Sequence, residues 1–144
     1  MYDVDSFTSI LFQYRKQEKN MKKQEFKQQL YSLLDMAIDD MSYEEKVNYI
    51  EKLVFDYQRD NDKLREKPNS QKAWKDEELK LILNDAATVE NCVKYAKIFG
   101  RGYGSIEQIY RWAATPLKNI QGRRENDSFV LQIKRVARQL GRRA

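Results

Sequence analysis

Tyr43, Val47, Ile50, Val54, Tyr57, Asn61 and Leu64 recur at alternating spacings of four and three, and no glycine or proline interrupts them. Only a helix keeps residues so spaced on one face. The same economy of breakers runs through the whole chain. With 5 Gly and 2 Pro in 144 residues, long stretches carry no stop signal, which predicts an all-α protein rather than a β-sandwich. Ser42-Tyr43-Glu44-Glu45 supplies an S-x-x-E capping box for this helix, and Lys67-Pro68-Asn69-Ser70 stops it near Glu66. Leu53 widens the stripe. Two readings of the seam stand side by side: a helix packed within its own N-terminal bundle, or a homodimer through residues 43–64 with Asn61 setting register.

Composition excludes much chemistry. With His 0 and a single cysteine, Cys92, no histidine base, no Ser-His-Asp set and no Cys/His zinc site can form within one chain. A lone cysteine also fits a reducing compartment. Asp3, Asp5, Arg15 and Lys16 interrupt the N-terminal apolar residues, so neither a signal peptide nor a membrane span is expected, and the expectation is a cytoplasmic protein. Carboxylates are the remaining catalytic candidates. Asp35, Asp39 and Asp40 cluster near a helix end, but a metal site would need more oxygen ligands from elsewhere, and solvation explains them. Neither an enzyme nor a cofactor is expected.

Charge divides the chain. Residues 1–70 hold 12 Lys/Arg and 14 Asp/Glu, whereas residues 71–144 hold 15 and 8. A neutral-to-acidic half joined to a basic one suggests a polyanion partner for the second half and a protein partner for the first. The organisation expected is a helical association region over 1–67 and a second domain over 71–144, with the boundary at Lys67–Lys72. Upstream, Phe7, Ile10, Leu11 and Tyr14 form one helical stripe, and Phe26, Leu30, Leu33, Leu34, Ala37 and Ile38 another over residues 24–40.

The second half divides into short helices. Trp74 to about Leu83 opens on Asp76, Glu77 and Glu78, acids that favour a helix start. Asn84–Ala87 is a turn, Thr88 caps a helix through Phe99, and three glycines fall between Gly100 and Gly104. Ser105 with Gln108 forms an S-x-x-Q box for a third helix that Pro116 ends. A last helix, capped by Asp127 or Ser128, buries Phe129, Ile133, Val136, Ala137 and Leu140, and Gly141 closes it. No strand precedes Gly100–Gly104 and no Gly-Lys-Ser/Thr follows, so the glycines read as a turn rather than a nucleotide loop.

Trp74 before its acids, the apolar helix ending in Ala96 and Phe99, the Gly100-Arg101 turn, and Gln108-Ile109-Tyr110-Arg111-Trp112 together resemble a Myb/SANT-like, homeodomain-like helix-turn-helix. The likeness covers about residues 72–115, with Trp74 and Trp112 matching the first and last core aromatics. Lys75 stands where that family has a Ser/Thr cap, and Cys92 or Val93 replaces the middle aromatic. The resemblance implies a third helix lying in the DNA major groove, as in small phage or mobile-element regulators.

The residues themselves fit such a role. Ile106, Ile109, Tyr110 and Ala113 make one face of the third helix and leave Gln108 and Arg111 outward, where glutamine can read adenine and arginine guanine. Arg101, Tyr103 and Ser105 stand at the helix entrance, where a phosphate could be held. Lys118, Arg123 and Arg124 form a basic loop, and Arg135, Arg138 and Arg142 a stripe on the last helix that reads as solvated surface or as phosphate contact. The expected function is sequence-specific duplex DNA binding by a transcriptional regulator. A protein-interaction adaptor and an RNA binder are the competing readings.

Overall fold

The structure, a computed structural model, describes residues 20–120 and 122–142, with the Arg123 side chain also outside the description. The expected helix over 6–16 therefore lies outside the described residues. Among these, six α-helices and three short 3-10 turns are present and no strand, in keeping with the all-α expectation. The chain divides into two compact units, Met1–Lys46 and Val47–Ala144.

The first unit contains α1, Lys23–Leu34. Its stripe was expected to run on to Ile38. The helix instead stops at the Asp35 C-cap, because Asp35, Asp39 and Asp40 put negative charge at the end where the helix dipole is already negative. Asp35 and Asp39 thus do not share a helical face, and among the described residues no group of acids or cysteines could hold a metal. Asp39 takes a left-handed backbone (φ 44) in the turn, and Lys46 Nζ donates to Met36 O at 3.0 Å. No residue of α1 is buried, and Phe26, Leu30 and Leu33 stand 57%, 41% and 65% exposed.

Helix α2, Tyr43–Asp60, begins as its capping box predicts, with Glu45 N–H donating to Ser42 Oγ at 3.2 Å. It ends six residues early. Asn61 donates both its backbone N–H (3.0 Å) and its side-chain amide (2.8 Å) to Tyr57 O, and its backbone leaves the helical region. Asn61 is therefore the helix stop and is only half-buried. The 3-10 turn Asp62–Leu64 follows.

The boundary expected at Lys67–Lys72 lies instead within a strap, residues 61–73, on the second unit. Arg65 donates to Ala96 O (3.3 Å) and Arg101 O (2.6 Å), Asn69 Nδ2 to Phe99 O (2.8 Å), and Asn69 N–H to Gly100 O (3.0 Å). These carbonyls belong to the end of one helix and the turn after it; Ala96 O is also met by the Gly100 and Arg101 N–H groups, whereas the others lie beyond the reach of the helix's own donors. Lys97 Nζ reaches back to Gln58 at 3.0 Å, so Val47–Asp60 of α2 also groups with this unit rather than with a separate 1–67 region.

Four helices build its core: α3 (Asp76–Asn84), α4 (Val89–Phe99), α5 (Tyr103–Ala114) and α6 (Ser128–Gln139). Local signals set their ends. Glu78 accepts from Lys75 N–H (2.8 Å), Thr88 Oγ1 from Asn91 N–H (3.1 Å), and Asp127 from the N–H groups of Phe129 (2.9 Å) and Val130 (3.1 Å). Gly100 ends α4 at φ 62, and an added Cβ would meet Pro68 and Asn69 atoms at 3.0 Å, so only glycine fits under the strap. Leu79, Ile82, Leu83, Ala96, Ile106, Ile109, Ile133, Val136 and Ala137 fill the centre. Helix α6 packs on both α3 and α5 and completes a four-helix core around the tri-helical unit.

Helix α5 starts at Tyr103, three residues ahead of the start that a Ser105 cap predicts, and Ser105 lies in its first turn rather than at its cap. The N-cap residue is Gly102, which has no side chain, and the Asp62 carboxylate of the strap lies beside it, near the Tyr103 N–H. Burial works against ionisation of Asp62, but Arg65 (2.7 Å), the Tyr103 N–H and Lys67 (3.4 Å) outweigh it and hold the carboxyl below the usual aspartate range. Asp62→Ala should destabilise the folded chain by about 1–2 kcal/mol at neutral pH. Because the folded pKa is depressed, that advantage is present above the unfolded value of about 3.9 and is lost as pH falls through the folded one. Urea unfolding of both proteins at pH 7 and near pH 2.5 checks this, with the stability gap narrowing in acid.

Candidate nucleic-acid interface

The residues expected to meet DNA divide into buried, paired and outward-facing groups. Arg101 is buried, 4% exposed. Its guanidinium donates to Lys72 O and to Ala73 O (3.1 Å) and lies 3.9 Å over the Trp74 ring. Trp74 in turn meets Phe99 edge-on at 5.8 Å, and Tyr95 stacks on Phe99 at 5.9 Å. Arg101 thus locks the strap to the aromatic edge of the core, and its donors are not directed at a phosphate along the outer surface. Burial lowers its pKa, yet an arginine stays charged at neutral pH.

Tyr103 is half-buried with its hydroxyl against the Cys92 thiol, and burial is the first cause of its raised pKa. Ser105 and Gln108 are half-buried on α5. The outward face of that helix is narrow: Gly104, Glu107, Arg111 and Ala114 are its exposed residues. Arg111 pairs with Glu107 at 2.9 Å across one turn. Such an exposed i,i+4 pair contributes only about 0.3–0.5 kcal/mol, so Arg111 is easily released to another acceptor.

On the connection to α6, Lys118 is exposed in the turn Leu117–Asn119, and Arg123 falls in the turn Gly122–Asn126. Arg124 is exposed, pairs with Asp127 at 3.4 Å and lies 5.8 Å from the Trp112 ring. On α6 itself, Arg135 makes a two-pronged pair with Asp76 (2.7 and 3.0 Å). Arg135, then Gln132, hold Asp76 down to about 2. Arg142 is half-buried and donates to Asp85 O at 3.0 Å. Arg138 is exposed, and among the described residues no acceptor takes its guanidinium.

One basic residue outside the expected set proves structural. Lys134 is 2% exposed and donates to Ala113 O (3.3 Å) and Thr115 O, closing the C-terminal end of α5. Burial, then Arg138, push its ammonium below the ordinary lysine range. A cation suits the negative end of a helix dipole, but its position on the apolar side of α6 gave no warning of that role. Two of the basic residues counted over 71–144, Arg101 and Lys134, are thereby withdrawn from the surface. On α5, the α5–α6 connection and α6, the described residues Lys118 and Arg138 are outward and uncommitted, with Arg124 and Arg111 held only by exposed pairs; Lys75 is a further exposed, unpaired cation ahead of α3.

Among the described residues no helix is long and apolar enough to cross a membrane. Residues 68–144 match the family model described as "Uncharacterised protein PM1205 C-terminal domain". The match begins at Pro68, where the strap meets Gly100. The "Uncharacterized protein PM1205" of Pasteurella multocida (strain Pm70) is 50% identical over 121 residues, spanning 83% of this chain and 97% of that relative. No solved structure matches the chain. A family model matched from the strap to the last residue, and a relative half identical along nearly its whole length, make this chain a member of the PM1205 family, with residues 68–144 as its C-terminal domain.

Proposed function

We propose that the protein binds duplex DNA through the outer surface of its C-terminal domain and acts as a transcriptional regulator. The observation that carries this reading is the excess of outward, weakly committed cations along α5, the α5–α6 connection and α6: Arg111, Lys118, Arg124 and Arg138. Phosphate contacts supply most of the affinity in such an interface and base-edge contacts its sequence preference. In this scheme Lys118, Arg124 and Arg138 hold phosphates, while Gln108 and Arg111 meet base edges after Glu107 releases the arginine. Arg101 supports the surface from within.

The first expected outcome separates the two roles. Arg138→Ala and Lys118→Ala should weaken binding to all duplexes alike and each reduce the slope of log affinity against log salt by about 1. Arg111→Ala should relax preference at one base pair by about 1–3 kcal/mol. Selection from a random duplex pool, followed by fluorescence anisotropy across a salt series, reads both. Salt-insensitive binding, or none to any duplex, would count against the assignment.

Association of two copies through α2 forms the second part of the reading. Tyr43, Leu53, Val54, Tyr57 and Leu64 are 78%, 45%, 53%, 66% and 60% exposed, and α2 has no buried residue. A helix with an apolar stripe gains its stability from covering that stripe, which supports a partner for it. Two C-terminal domains so joined would address paired half-sites. Val54→Lys adds a charge at an already exposed seam position, so it should convert a dimer to a monomer in light scattering while the circular dichroism spectrum is kept. A wild-type chain that scatters as a monomer at high concentration rejects the dimer and leaves the DNA assignment untouched.

A further inference from the structure

An open cleft of about 710 Å³ lies between the strap, the first turn of α5 and the first turn of α6. Its walls carry Lys72, Arg101, Ser105, Ser128, Gln132 and Arg135, and no acidic side chain among the described residues lines it. Trp74 and Phe129 complete it as apolar surface. The volume falls within the range of about 300–1,000 Å³ usual for small-ligand sites.

The charge balance of the cleft is incomplete. Arg135 is neutralised by Asp76 from outside the lining. Arg101 is different: nine-tenths of it and more is buried, its partners are two neutral carbonyls and a ring face, its Nε has no acceptor, and no carboxylate lies within ion-pair distance. Glu78 acts on it only through space, without an ion-pair contact, and a buried cation so weakly compensated is costly, so that an anion seated beside it recovers part of that energy. Lys72 adds a second positive charge at the rim, its ammonium engaged only by the Asn69 amide oxygen at 3.2 Å. The Ser105 and Ser128 hydroxyls supply donors from two further walls. Donors from three sides suit a tetrahedral oxyanion with several acceptor oxygens better than a planar carboxylate.

We infer that this cleft seats a phosphate group, with Lys72, Ser105 and Ser128 as direct donors and Arg101 as the fixed charge beneath them. The phosphate belongs either to the backbone of a nucleic acid or to a free phosphate or nucleotide. Only the first source rests on the DNA-binding reading.

The test uses the full chain. Inorganic phosphate, a 5′-mononucleotide and a short duplex are each titrated at constant ionic strength while amide resonances of Gln71, Lys72, Ser105, Ser128 and Gln132 are followed by NMR. Saturable shifts at these amides are expected. Ser128→Asp places a carboxylate in the cleft at a helix start that tolerates acids, so it should keep the fold and weaken the interaction by about tenfold or more. Lys72→Gln should weaken it by a smaller factor. If the duplex binds but shifts other residues, Ser128→Asp leaves its affinity unchanged and neither phosphate nor nucleotide shifts the cleft amides, the cleft is not a phosphate seat and the DNA reading survives. Should inorganic phosphate or the nucleotide saturate the cleft while no duplex binds, the seat stands for a free phosphate and the DNA reading falls. An absence of saturable shifts with all three probes overturns the inference.

Discussion

The second unit depends on how the backbone carbonyls at the end of α4 are satisfied. A helix leaves its last carbonyls without internal donors; here the Gly100 and Arg101 N–H groups both close on Ala96 O, and the carbonyls of Phe99, Gly100 and Arg101 are met from outside the turn. Arg65 and Asn69 come back from the strap to Ala96, Phe99, Gly100 and Arg101, while Arg101 reaches in the opposite direction to Lys72 and Ala73. The two sets of bonds close a loop of polar contacts around Gly100. They fix where α5 begins, because the Asp62 carboxylate beside its start is held by Arg65 of the same strap.

Cations in this protein therefore serve two masters. Arg101 and Lys134 are spent on backbone carbonyls inside the fold, and Arg142 on Asp85 O at its edge. The formal charge of the C-terminal half overstates what a polyanion would meet. What matters for recognition is the smaller number of exposed side chains with weak commitments, whose salt-bridged members cost little to redirect. A buried, uncompensated guanidinium acts differently, since it lends its field to the adjacent cleft without moving.

The N-terminal helices pose the opposite problem. They carry apolar stripes at helical spacing yet have no buried residue among those described, so their hydrophobic side chains remain in search of cover. Nothing similar holds in the C-terminal domain, where the corresponding stripes interlock. The contrast separates a C-terminal domain with its own core from N-terminal helices whose apolar stripes stay uncovered among the described residues.

Sequence alone determined the helical class, the apolar faces of α3 to α6, the helix starts at Ser42, Thr88 and Asp127, each set by a partner three residues on, and the glycine stop at Gly100. Those features are legible because capping and amphipathicity are fixed by spacing within a few residues. The positions of single charged side chains were not. Arg101 looked like a surface arginine in a glycine turn, Ser105 like a cap, Asn61 like a buried register residue and Lys67–Lys72 like a domain boundary; each was reassigned by contacts within the folded unit or by the bend of the local backbone. The family match begins at Pro68, whereas the compact second unit begins at Val47. Tertiary structure alone decided which cations are buried, because that depends on carbonyls some twenty to thirty residues away in sequence, a relation no local pattern encodes.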